Sequence, residues 1–455
     1  MNVFWHQRDL RLPDNRGLTV ATNDGPTVGV YVVDSNVLGS VGKRQRAFLL
    51  AGVRALKQAY RDRGSDLLVR SGPAVDALAD ICADLDAETV YYNTHYRPSR
   101  RNRQRRVDTR LDTERVSDLT LVDPARLDPG HETHSQFKRA WTDLPILPAL
   151  DAPDDNLADV TDATTVPDVE ADIDLPEAGY EAARARLDSF VADGIESYSA
   201  TRDDMTAAVE RPANSVSRMS PYLATGMIGI RETYGAATSA HDAADGRTRK
   251  QVDKYRDELS WREYNYYLLY HEPTLLTDNY VDFPNDIAWR EDDDGFEAWK
   301  RGETGYPLVD AGMRQLAREG YMHNRTRQVT ASFLTKHLLV DWRKGARWFT
   351  KQLLDHDPAS NYGGWQWVAS TGTDSVDVRI FDPVSQMAKY DDDAVYVTEY
   401  VPELAGVDPE TIIEWPNLSR GERESLAPDY AHPIVDRNEG YERAQRVFET
   451  ALGKR

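Results

Sequence analysis

Along the first 125 residues, short apolar runs alternate with stretches in which apolar residues recur every three or four positions. Val3-Phe4-Trp5, Val28 to Val33, Leu67-Leu68-Val69, Val90-Tyr91-Tyr92 and Leu119 to Val122 read as strands. Between them Leu49, Val53, Leu56 and Tyr60 mark one helix face, and Val75, Leu78, Cys82 and Leu85 another. Strands separated by helices predict a parallel, Rossmann-like α/β sheet over 1–125. Residues 126–185 turn rich in Asp and Pro and lose any sustained period, which predicts a long interdomain linker. Over 186–455 the apolar positions follow helical spacing, through YRDELSWREYNYYLLY and QVTASFLTKHLLVDW, so the second domain is expected to be all-α.

Charge changes the picture. The chain carries 76 acidic against 55 basic residues, a net charge of -21, with the acidic residues spread along its length. That spread reads as a general solvent adaptation, such as life in high salt, in which a local basic patch survives inside an acidic envelope. The densest basic run is Arg97, Arg100, Arg101, Arg103, Arg105, Arg106 and Arg110. By charge alone it would bind phosphate, and a solvated helix face is the alternative. One cysteine, Cys82, excludes an internal disulfide and any four-cysteine metal or iron–sulfur site, and no metal is expected. No run nears the roughly 20 apolar residues of a bilayer span, and the chain opens directly on MNVFWHQRDL, so a cytoplasmic protein without membrane contact is expected.

Candidate chemistry lies in the second half. No GxGxxG follows the first strand, so the sheet alone names no cofactor. In DELSWREYNYY, Glu258, Trp261 and Arg262 lie within about one helical turn, either lining a pocket for a flat base or forming an amphipathic helix with a buried indole. HNRTRQVTASF puts His323, Asn324, Arg325 and Arg327 before an apolar run, an anion-binding helix start or merely a charged one. In LLDHDPASNYGGWQWVASTGTD, Asp355, Asp357 and Asn361 precede a Gly363-Gly364 turn and Trp365 and Trp367. The paired glycines would let backbone approach something flat, or the segment is a structural turn ending in core tryptophans.

These three segments, in this order and spacing, resemble the flavin-binding domain of DNA photolyases and cryptochromes. The resemblance extends over residues 215–232, 299–316, 321–334, 341–349, 379–386 and 400–404, and FWHQRDLRLPDNRGL resembles the family's opening strand and turn. It implies a bound FAD whose phosphates are held by Ser217 and Ser220, with Val216, Arg218 and Met219 beside them. Val216 stands where the family often has threonine. Tyr198, Tyr255, Arg327, Asp355 and Asp357 match further flavin contacts, and Asn361 matches the residue facing the flavin N5, where a neutral amide cannot deliver a proton as a carboxylic acid can. Trp365, Trp342 and Trp289 match a chain of tryptophans that conducts electrons to the flavin.

The reaction implied is light-driven repair of cyclobutane pyrimidine dimers, with damaged DNA as partner and a monomeric enzyme. Glu258 would hydrogen-bond the flipped dimer, Trp261 and Trp367 would stack on it, and Asn324 would donate from the side. Arg262 and Arg325 would meet phosphates or carboxylates near the flavin. A (6-4) lesion is disfavoured, because Asn324 and Gln328 stand where that chemistry needs histidines. Gln328 also replaces the usual methionine, and Gln7 an arginine near the antenna region. The resemblance also implies a second, light-harvesting chromophore, folate or 8-hydroxydeazaflavin, and gives the Arg97 to Arg110 run a place near it. The alternative function is a blue-light photoreceptor using the same flavin and tryptophans without repair.

Overall fold

In the computed structural model, residues 1–374 and 378–454 are described. They form two compact units, one of Met1–Glu196, Ser217–Pro273 and Leu354–Ala359, the other of Ser197–Val216, Thr274–Leu353 and the chain from Ser360. These units group residues by packing; the division at 125 and 185 stays a proposal about sequence character.

The first unit holds a five-stranded parallel sheet: β1 (Asn2–His6), β2 (Thr27–Val33), β3 (Leu67–Ser71), β4 (Thr89–Asn93) and β5 (Thr113–Val116), in the order β3-β2-β1-β4-β5. Successive side chains of a strand face opposite sides. Val3, Trp5, Val30, Leu68 and Tyr92 thus enter one core, and Phe4, Tyr31, Val69 and Tyr91 the other. Both faces are covered, which is why the strands read as unbroken apolar runs. The covering helices include α1 (Arg16–Asp24), α2 (Lys43–Arg61), α3 (Ala74–Leu85) and α4 (Pro98–Asp108). Leu49, Val53, Leu56 and Tyr60 are all buried on α2, as their spacing predicts. Tyr60 packs so closely that a Cβ on Gly29 would meet its ring at 2.4 Å.

One strand differs from expectation. Leu119 to Val122 is not a strand; the fifth strand is the polar Thr113–Val116, at the sheet edge. Leu121 and Val122 are buried in a loop whose amides donate to Glu263 Oε2, at 2.7 and 3.4 Å. A side-chain carboxylate satisfies amides that a strand would have paired in a ladder. Burial pushes the Glu263 carboxyl up to about 7, against the pull of Arg262 and of these two amides.

Along the chain follow α5 (His134–Thr142), α6 (Ile230–Ala243) and α7 (Gly246–His271), then α8 (Asp293–Arg301), α9 (Pro307–Glu319), α10 (Asn324–Ser332), α11 (Trp342–Gln352) and α12 (Pro358–Ala369). α6 is tied to the strand ends by buried charge. Arg231 donates to Asp14 Oδ1 at 2.9 Å and to Asp118 Oδ1, while Arg11 reaches Asp118 Oδ2 at 2.6 Å. Two cations balance two carboxylates here, all four buried.

In the second unit, Trp299, Leu316, Phe333, Trp342, Phe349 and Trp365 share one core. Gly345 is needed there, because a Cβ would meet the Trp365 ring at 2.2 Å. The expected Gly363-Gly364 turn is absent: both glycines lie inside α12. Flanking residues Tyr362, Trp365 and Val368 all pack on the core, and that packing outweighs the roughly 1 kcal/mol that each helical glycine costs.

Removing Arg231 would strand the buried carboxylate of Asp14 and leave Asp118 ion-paired with Arg11 alone. Arg231→Met is expected to destabilise the first unit by about 3–5 kcal/mol, read as an earlier urea transition followed by circular dichroism.

Candidate functional site

The first unit carries one set of the expected residues, most of them on α7. Asp245 caps this 26-residue helix by accepting from the amides of Arg247 and Thr248. Tyr255, Leu259, Ser260, Glu263 and Tyr266 are buried, whereas Glu258 and Trp261 are only half-buried. Lys254 Nζ lies 2.8 Å from Glu258 Oε1. The indole of Trp261 stacks on His134, which its own residue type gave no reason to single out. Arg262 is committed within the unit: it donates to the Leu119 carbonyl at 3.2 Å, pairs with Glu263 Oε1 at 3.1 Å and lies over the Tyr266 ring.

The phosphate segment is also in this unit. Ser220 Oγ donates to Asp355 Oδ2 at 2.6 Å, joining two residues expected at the same cofactor. Tyr255 lies near Ser217, and burial pushes its phenol up to about 12 against the pull of that serine. Between the serines Arg218 has φ +53°, a left-handed conformation that costs on the order of 1 kcal/mol and is often kept at ligand sites. Met219 buries its side chain in the core beneath the sheet, so it offers a ligand only its backbone. Asp357 accepts from Arg8 Nη1 at 3.0 Å and from the hydroxyl of Tyr266.

The second unit carries the rest. Tyr198 is buried and Val216 partly so. His323 caps α10 by accepting from the Arg325 amide at 3.2 Å, leaving Asn324 exposed at the first helical position. Arg325 pairs with Asp203 at 3.0 Å, donates to Gln328 Oε1 at 2.9 Å and covers the Tyr390 ring. Arg327 Nε donates to the Met322 carbonyl at 2.8 Å. Asn361 Nδ2 donates to the Ala346 carbonyl at 3.0 Å. A carbonyl only accepts, so the amide nitrogen must face it, and Asn361 turns an acceptor oxygen the other way.

The tryptophans fall in this same core. Trp365 touches the rings of Trp299 and Phe349; Trp342 touches Tyr362 and donates to Asn279 at 3.0 Å; Trp289 packs on Phe448. Trp299 was not singled out from sequence, although it sits in the WKRGETGYPL segment. Trp367 is covered by the guanidinium of Arg379, 3.7 Å from its ring centre.

The arginine run takes an unexpected place. On α4, Arg100, Arg103, Gln104 and Val107 form the buried face, so two arginines point into the unit rather than to solvent. They meet the carboxyl ends of β1, β2 and β4, the point where strand order reverses and open α/β sheets bind ligands. Arg103 reaches Gln7 Oε1 at 3.2 Å and Asp34 at 3.6 Å. Arg100 is 7 % exposed and, among the described residues, its guanidinium has no hydrogen-bond or ion-pair partner. Burial, with Arg103, Arg8 and Arg97 nearby, pulls it down to about 9. Among the described residues, Gln7 Nε2, Arg8 Nη2, Arg103 Nε and His95 Nε2 are buried without acceptors. His95 Nδ1 accepts from the Arg97 amide, so a neutral His95 carries its proton on Nε2 and adds one more donor. Such an excess of donors and positive charge fits an anionic ligand.

Comparisons with known proteins give the family. A family model described as DNA photolyase matches residues 2–154, and one described as the FAD binding domain of DNA photolyase matches residues 255–450. The chain belongs to the DNA photolyase and cryptochrome family. It is 41% identical to a deoxyribodipyrimidine photo-lyase of Halobacterium salinarum, with 100% of each chain covered. Among solved structures it resembles a cryptochrome of Synechocystis (TM-score 0.89, 27% identical, 98% of this chain and 99% of that one). It also resembles an archaeal photolyase from Sulfolobus tokodaii with two FAD molecules (TM-score 0.84, 28% identical, 99% and 100% covered). Residues 255–450 thus belong to an FAD-binding domain of this family.

Because the Arg100 charge has no counter-charge, removing it relieves a cost. In the ligand-free protein Arg100→Met is expected to leave the unfolding midpoint unchanged or raise it, by about 1 kcal/mol or more, whereas most buried substitutions lower it. Differential scanning fluorimetry of the two proteins reads the sign.

Proposed function

We propose that the chain is a deoxyribodipyrimidine photo-lyase that repairs cyclobutane pyrimidine dimers in DNA under blue light, by electron transfer from reduced FAD. The reading is carried by α7, where Glu258 and Trp261 lie half-buried about one turn apart, next to the buried Leu259, Ser260 and Glu263. Bound and reduced, FAD supplies the light-absorbing electron donor. Ser217, Ser220, Asp355 and Tyr255 hold its polar parts, together with Tyr198, Val216, Arg327 and Asp357. Asn361 presents an acceptor to the ring and has no proton to give it. Trp365, Trp342 and Trp289 carry electrons inward.

Glu258 meets the edge of the dimer where negative charge gathers, and Trp261 and Trp367 stack on its bases. Asn324, exposed at a helix start, donates from the side; Arg325 and Gln328, joined by their own hydrogen bond, line the same helix. Arg262, held by Leu119 and Glu263 through Nη1 and Nη2, meets phosphate with its remaining N–H groups. The lesion-bearing strand is the partner of a monomeric, cytoplasmic protein. At the strand ends Arg100, Arg103, Arg8, Gln7 and His95 hold the anionic part of a second chromophore; both a folate and an ionised 8-hydroxydeazaflavin carry such charge.

The likeness to a cryptochrome fits a second reading, a photoreceptor with the same flavin and tryptophans. One experiment separates the two. Reduced protein is illuminated with an oligonucleotide bearing one cyclobutane thymine dimer, with dark and Glu258→Ala controls, in low and in molar salt. Dimer loss that needs light and falls about tenfold or more in the variant is expected. Photoreducible FAD with no dimer loss in either salt would leave the photoreceptor.

A further inference from the structure

His134 and Trp261 form a fixed pair. Their ring centres are 3.9 Å apart and their planes 11° from parallel, so the imidazole covers one face of the indole. His134 opens α5, where Thr133 and Gln136 form a reciprocal capping box that sets the direction of the backbone. Its Nε2 lies 2.8 Å from Ser260 Oγ, and Ser260 Oγ donates to the Asp257 carbonyl at 2.7 Å. A hydroxyl has one hydrogen, so Ser260 must accept from the ring, and His134 carries its proton on Nε2.

The ring is neutral at physiological pH. Burial is the chief reason that it is held down to about 4; Asp257 and Glu258 pull it up, Lys138 and Lys254 down. Those four groups are themselves paired, Lys138 with Asp257 at 2.6 Å and Lys254 with Glu258 at 2.8 Å. The carbonyl that anchors Ser260 belongs to Asp257, the residue before Glu258. One short chain of contacts therefore ties the plane of the indole to the backbone that carries the carboxylate.

We propose that His134 is a positioning residue for lesion recognition: by backing Trp261 and bonding Ser260, it fixes the plane on which a flipped pyrimidine dimer stacks beside Glu258. The inference rests on the lesion site proposed above. An indole with no backing ring turns about its side-chain bonds and must be ordered again when a base stacks on it, which weakens binding about 3- to 10-fold. Undamaged duplex places no base there and loses nothing.

The test uses FAD-loaded full-length protein and measures affinity for an oligonucleotide with one thymine dimer and for its undamaged twin, then repair yield at saturation. Trp261→Ala, His134→Ala, His134→Phe and Ser260→Ala are compared with the parent. Trp261→Ala is expected to weaken dimer binding selectively. His134→Ala should weaken it about 3- to 10-fold with undamaged binding and saturated repair unchanged, His134→Phe should restore the stack and the affinity, and Ser260→Ala should give a smaller selective loss. If Trp261→Ala is selective but Ser260→Ala and His134→Ala are not, or if His134→Phe fails to restore selectivity, the role of His134 is overturned while the lesion site stands. If Trp261→Ala has no selective effect, the lesion site falls and this inference with it. Should His134→Ala not fold, the Ser260→Ala and His134→Phe arms still decide.

Discussion

The first unit depends on how charge buried at the carboxyl ends of its parallel strands is balanced. Parallel strands end together at one edge, and the loops that follow β1 and β4 bring Arg8, Asp9, Arg11, Asp14 and His95 into a region closed by helices. Where the cations meet carboxylates, as in Arg11, Asp14, Asp118 and Arg231, the charges lock α6 to the sheet. A few residues away, among the described residues, Arg100 and several donors around it have no such partner. Isolated buried charge costs several kcal/mol. The same edge is therefore a structural joint on the side of Asp14 and Asp118 and, on the other, the seat proposed above for an anion.

Helix α7 faces a related conflict. Its 26 residues pack one side on the first unit through Tyr255, Leu259, Glu263 and Tyr266, yet leave Glu258 and Trp261 partly exposed. An exposed indole on a well-packed helix is held in place only if something lies against it, and an exposed carboxylate only if a cation is near. His134 and Lys254 meet these needs. The proposed lesion contacts are thus supported before DNA arrives, which limits the reordering that binding requires.

Much of this was legible in the sequence, for reasons that can be stated. Four of five strands and the α2 face followed from period, because a sheet covered on both faces admits almost nothing polar. The fifth strand was misplaced since an edge strand can be polar, like Thr113–Val116, and a loop can be apolar when a carboxylate such as Glu263 satisfies its amides. The glycine pair reads as a turn locally, and only packing around Trp365 puts it inside a helix. The arginine run reads as a solvated helix face or as charge near the antenna region, although positions 100, 103, 104 and 107 carry the spacing of a buried face. Arginine is so seldom buried unpaired that the spacing alone gave no reason to expect it. His134 left no trace in sequence, because its task exists only through contact with residues about 126 positions away.

The net charge of -21 bears on how such a site meets DNA. Repulsion between an acidic protein and phosphate reaches about 10 Å at 0.1 M salt and about 3 Å at 1 M. An enzyme that bound mainly by neutralising phosphates would lose affinity steeply as salt rose. The proposed contacts to the dimer itself are instead two indoles, an amide and a carboxylate, with the arginines at its margin. Stacking draws on apolar burial, which salt does not weaken. At that margin Arg325 is paired with Asp203 and Arg262 with Glu263, so these two basic residues enter the site with their charge offset. A recognition surface of that kind gains from high salt what it gives up in long-range attraction, and the acidic envelope and the aromatic site become two parts of one solution.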